Sequence, residues 1–129
     1  MFAWVSEEIA RALHSELLLE HGGLPGPSRN GALESALARP QNLVTYADTP
    51  PALHELAACY GYGLARDHTF PDGNKRLALS VIDVFLQLNG YELTADEPSA
   101  AATIKGVAAG SITESELAEW IAANWAPIS

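Results

Sequence analysis

The segment His68-Thr69-Phe70-Pro71-Asp72-Gly73-Asn74-Lys75-Arg76 places a base, a carboxylate, a glycine and two adjacent cations within nine residues. It opens a stretch that the residue pattern predicts to be helical from about Asn74 to Leu88. A helix N-terminus presents unpaired backbone N–H groups and about half a positive charge. Gly73 permits a tight backbone approach just before those groups. Lys75 and Arg76 then add two full positive charges to the first turn. Cations there oppose the helix dipole by roughly 0.3–1 kcal/mol each when exposed. A bound anion resolves the conflict, because it satisfies the N–H groups, the dipole and both side chains at once. Asp72 beside such a spot suggests Mg²⁺, which binds through one or two carboxylates plus substrate phosphates. His68 is of the side-chain type that can take a proton from a hydroxyl near neutral pH. Base, metal carboxylate and anion cradle together suit phosphoryl-type transfer, where positioning and charge stabilisation do most of the catalysis.

Each of these residues also has a structural explanation. A single histidine is more often structural than catalytic. Asp72 or Asn74 could cap the helix, Gly73 could turn the chain, and Lys75 and Arg76 could be solvated. Taken together at one helix start, the two adjacent cations are the feature those explanations leave over.

The elements that must position this segment are helical. Ser6 is a good N-cap for a first helix, with Glu7 and Glu8 in its first turn. Ile9, Leu13 and Leu17 share one face, and Gly22-Gly23 end the helix. Leu24 to Arg29 is rich in turn residues. A short helix is expected from about Asn30 to Ala38, stopping at Pro40. Thr49-Pro50 reads as the next start, with the period kept to about Arg66. The Asn74–Leu88 stretch is apolar nearly all round, as expected of the buried centre of a bundle. Tyr91 to Leu93 is a short extended piece. Thr94 is the expected cap of a helix from about Ala95 to Ala108, and Thr113 with Glu116 forms a capping box for the last helix. The expectation is an all-α domain over residues 1–129, with about six helices around one central buried helix and a short β-hairpin flap at most.

Composition narrows the function classes. Apolar residues make up 48% and charged residues 18%, as in an ordinary globular protein. Cys59 is the only cysteine, which excludes an intramolecular disulfide and fits a reducing cytoplasm. The acidic first residues do not resemble a signal peptide, and no apolar run reaches membrane-spanning length. With a formal net charge of −9 and only seven Lys and Arg, no basic face for nucleic acid is expected. One small basic spot on an acidic protein suits a small anion instead.

His-x-Phe-x-Asp-Gly-Asn-x-Arg resembles the signature of the Fic/Doc family, and Asn74-Lys75-Arg76 resembles its Doc branch. Gly22-Gly23-Leu24-Pro25-Gly26, Leu33-Glu34-Ser35-Ala36 and Asn89-Gly90 extend the similarity over nearly the whole chain. The resemblance implies a helical Fic/Doc fold with His68 as general base and Asp72 as the Mg²⁺ ligand. Gly73, Asn74, Lys75 and Arg76 would cradle the phosphates of ATP, with Arg66 assisting. Leu24, Pro25, Gly26 and Arg29 would belong to a flap that lines up the target peptide, and Phe70 would anchor the loop in the core. AMP-transferring members have glycine after the motif asparagine and a second motif arginine. Lys75 and Leu79 stand there instead. Lysine fills space that a diphosphate would need, and loss of the arginine removes a bidentate clamp. Both departures point to the Doc branch, and that resemblance implies a toxin that moves the γ-phosphate of ATP to a threonine of elongation factor Tu, held in check by a Phd-like antitoxin. Transfer of AMP to a protein hydroxyl is the alternative. Ser115 and Glu119 have the spacing of an inhibitory motif found in some relatives, but Trp120 follows, so inhibition is expected from a separate chain.

Overall fold

A computed structural model describes residues 1–128. The order of elements is α1 (Glu7–His21), α2 (Ala32–Tyr46), α3 (Leu53–Arg66), α4 (Asn74–Leu88), β1 (Tyr91–Leu93), α5 (Glu97–Ala109), α6 (Glu114–Ala123) and β2 (Trp125–Pro127). The fold is all-α, with one small two-stranded antiparallel ribbon.

Local chemistry explains most boundaries. Ser6 Oγ accepts a hydrogen bond from Ile9 N at the start of α1, and Gly22 ends that helix at φ 76°. Thr113 caps α6, with its hydroxyl and the Glu116 carboxylate each accepting the other residue's backbone N–H. Three boundaries differ from expectation. Helix α2 does not stop at Pro40 but runs on to Tyr46. Proline inside a helix costs about 3 kcal/mol, yet Ala36, Leu37 and Pro40 form one buried face of α2, and that burial offsets the lost hydrogen bond. Helix α3 starts at Leu53 and not at Thr49-Pro50. Pro51 disfavours helical backbone at Pro50, and the first N–H of the new helix, at Ala52, is accepted instead by the Glu55 carboxylate. Helix α5 is capped by Asp96, not Thr94. Thr94 N donates to Asn124 O, which draws that residue to the end of the ribbon.

The ribbon pairs Tyr91 with Pro127 and Leu93 with Trp125. Its strands are joined through α5 and α6, so it is not a local hairpin, and Tyr91 stacks on Trp125 at 4.4 Å between ring centroids. The 24–29 loop carries no strand.

The centre of the bundle is shared between α3 and α4. Helix α4 buries Leu77, Ala78, Val81, Ile82, Phe85 and Leu86 but leaves Leu88 exposed. Helix α3 is enclosed more completely, touching α2, α4, α5 and α6. Its small residues allow this. A Cβ at Gly61 would run into Ile82, and one at Gly63 would meet the Arg39 side chain at 2.9 Å. The motif loop, 67–73, therefore joins the two most enclosed helices and is held at both ends.

Candidate active site

The loop leaves α3 at Asp67 and enters α4 through Gly73, which adopts φ 81° and caps the helix without a side chain. Leu77 N makes the first intrahelical bond, to Gly73 O. The N–H groups of residues 74–76 precede it, and the first turn holds no acid. His68 sits at φ 47°, the one positive-φ residue other than glycine among the described residues. Left-handed backbone costs a non-glycine residue about 1–2 kcal/mol, and such outliers concentrate where the surroundings impose a functional conformation.

These residues border a cleft of about 560 Å³. His68, Pro71, Asp72, Gly73, Asn74, Lys75 and Arg76 form one side. Ala101, Ile104, Lys105 and Ala108 of α5 form the other, with Ala65 and Leu79 also in the lining. Lys75, Arg76 and Lys105 have no carboxylate within ion-pair distance among the described residues. The cleft thus gathers three of the chain's seven Lys and Arg around one helix N-terminus, which is an arrangement suited to a phosphate-bearing ligand.

Asp72 stands at the rim. Its Oδ2 accepts from Leu24 N and its Oδ1 from Gly73 N. These bonds, with Arg76 and Lys75 nearby, hold its carboxyl below the usual carboxylate range. An exposed, ionised carboxylate with lone pairs to spare fits Mg²⁺ as a single protein ligand. No cluster of three or more metal-ligating residues occurs among the described residues, so phosphate oxygens and water would supply the remaining ligands.

Not every predicted residue faces the cleft in the same way. The Asn74 side chain clamps the loop, with Oδ1 accepting from Phe70 N and Nδ2 donating to Phe70 O. Phe70 is buried, as expected of an anchor. Arg66 does not line the cleft. Its guanidinium donates to Val107 O and lies over the Tyr62 ring, where it ties α3 to the C-terminal turn of α5. The placement has a physical cause: the C-terminal end of α5 carries the negative end of the helix dipole, and its Val107 carbonyl lies within reach of the guanidinium.

The flap residues also stay outside the lining and brace the loop from its other side. Leu24 N bonds Asp72, Arg29 N donates to Thr69 O at 2.7 Å, and the Arg29 guanidinium donates to Asp67 O. Gly26 lies so close to Pro71 that a Cβ there would come within 2.8 Å of the ring. Pro25 is exposed between these contacts. The Thr69 hydroxyl is buried without a hydrogen-bond partner. Cys59 is buried, and burial pushes its thiol up to about 11, so it is a core residue and not a nucleophile.

Two contributors lay outside the sequence-based expectation. One is the α5 wall, for which the available signal was that Lys105 is the only basic residue after Arg76. The other is His14, buried on α1 against Phe70, which no local pattern marks.

The family model described as "Fic/DOC family" matches residues 4–86. The chain is 38% identical over 115 residues to "Protein kinase doc" of Escherichia phage P1, covering 89% of this chain and 90% of that protein. It is 46% identical over 66 residues to "Toxin Doc" of Mycolicibacterium smegmatis, about half of each chain (51% and 51%). The match spans both the motif loop and the helices that hold it, and the chain belongs to the Fic/DOC family.

Proposed function

We propose that the cleft binds ATP with Mg²⁺ and that the protein moves the γ-phosphate to a threonine hydroxyl of a protein target, elongation factor Tu, acting as the toxin of a toxin–antitoxin pair. The observation that carries this reading is that His68 opens into the same cleft as Lys75, Arg76 and the N-terminus of α4. His68 takes the proton of the target hydroxyl. The hydroxyl oxygen bonds to the γ-phosphorus, the bond to the bridging oxygen breaks, and ADP leaves. Lys75, Arg76 and the N–H groups that open α4 hold phosphate oxygens and favour the charge that develops on them. Held by Asp72, Mg²⁺ would neutralise part of the polyphosphate charge.

Lys75 at the mouth of the cradle and the apolar Leu79 in the lining favour this direction over AMP transfer. The names of the relatives, a protein kinase and a toxin, support it as well. The flap, pinned to the loop by Leu24 and Arg29, would line up the target segment beside His68. A Phd-like antitoxin would silence the enzyme in the cytoplasm. Expression in a bacterial host without an antitoxin should arrest growth, and His68→Ala should restore it. A wild-type protein that is harmless under those conditions would remove the toxin reading.

A further inference from the structure

We infer that His14 is a positioning residue: through one hydrogen bond it fixes the orientation of the Asp72–Gly73 peptide, and so sets the anion cradle. The inference rests on the proposed function, because it names how the phosphate site of that reading is held in shape.

His14 is only 5% exposed, although it belongs to α1, far from the motif in sequence. Its ring stacks on Phe70 at 3.7 Å between centroids with 13° between planes. Its Nε2 lies 2.8 Å from the Asp72 carbonyl oxygen. A carbonyl only accepts, so Nε2 carries the proton and donates. In a trans peptide the C=O of Asp72 and the N–H of Gly73 point in opposite directions. With the carbonyl held down toward α1, the Gly73 N–H is turned away from α1, where it reaches Asp72 Oδ1.

Glycine at φ 81° has little steric resistance to a turn of this peptide. Without the His14 bond, the peptide is free to turn over. The Asp72 carbonyl would then turn to the side now taken by the Gly73 N–H, placing an acceptor beside the anion cradle and breaking the bond from that N–H to Asp72 Oδ1. The fit is close, since a Cβ on Gly73 would lie 3.3 Å from His14 Nε2.

Two variants separate this role from packing. His14→Gln keeps a donor nitrogen the same number of bonds from the backbone but loses the ring. His14→Phe keeps the ring but loses the donor. Circular dichroism would check that each is folded, and calorimetry would measure binding of Mg·ATP and of inorganic pyrophosphate. The thermal shift that each ligand adds to each variant's own melting temperature gives a second readout, referenced to that variant's own baseline. We expect His14→Phe to bind both about tenfold more weakly, the equivalent of about 1.4 kcal/mol, with His14→Gln recovering most of the loss. Equal binding by wild type and His14→Phe overturns the inference and leaves the proposed function standing. The reverse ranking, with glutamine worse than phenylalanine, assigns His14 to packing and also overturns it. Wild-type protein that binds neither ligand overturns the proposed function, and this inference with it.

Discussion

At the residue scale, Asp72 joins two jobs that usually fall to separate groups. Its carboxylate ties the flap to the loop through Leu24 N, and it presents negative charge at the mouth of a cationic cleft. Because its folded-state carboxyl titrates below the ordinary 3.8, it contributes stability that is present above the unfolded value and is lost as pH falls through the folded value. A carboxyl-carbon NMR titration should give a midpoint below 3.8, and a midpoint at or above it would mean that the two backbone hydrogen bonds do not form in solution. Lys75 belongs to the same scale. Lys75→Gly should lower γ-phosphate transfer by about tenfold or more, the scale of one lost charge contact in a transition state. Unchanged transfer would show that Lys75 takes no part. The motif side chains were legible because they are contiguous and their conflict with the helix dipole is local. His14 and Lys105 were not, because only the fold brings residue 14 against the motif loop and residue 105 to the opposite wall of the cleft. The contact of Arg66 with the end of α5 was hidden for a related reason: sequence proximity to His68 says nothing about which helix end a long side chain will reach.

At the element scale, α4 starts from a glycine in left-handed conformation and not from a side-chain cap. Gly73→Ala should therefore destabilise by about 1–2 kcal/mol from backbone strain alone, and its new Cβ would press on His14. Chemical denaturation measures the first effect, and a loss of ATP binding larger than the stability loss explains would report the second. A variant as stable as wild type would contradict the backbone geometry. Caps that use short local chemistry, at Ser6 and Thr113, were legible from sequence because acceptor and donor lie three residues apart. The starts of α3 and α5 and the end of α2 were not. Two were decided beyond the window, by the pull of the ribbon on Thr94 and the burial of Pro40 against the rest of the bundle, while at α3 the cap signal of Thr49-Pro50 was overridden locally by Pro51. The shared centre was hidden for a similar reason. Small residues along α3 look unremarkable in sequence, yet they let four neighbouring helices close around it.

At the scale of the whole molecule, sixteen acids outweigh seven Lys and Arg, while the cleft collects three of those cations. An acidic surface with one focused positive cleft is suited to a small polyphosphate more than to an extended nucleic acid. The bundle holds the cleft's two walls separately, the motif loop between α3 and α4 and the opposite wall on α5, and Arg66 links α3 to the end of that wall. The measurement that tests this account most directly uses purified protein, elongation factor Tu, Mg²⁺ and ATP labelled at either the α- or the γ-phosphate. The account predicts label on the target from γ alone, abolished by His68→Ala. Label from α would contradict it and move the protein to AMP transfer despite Lys75 and Leu79.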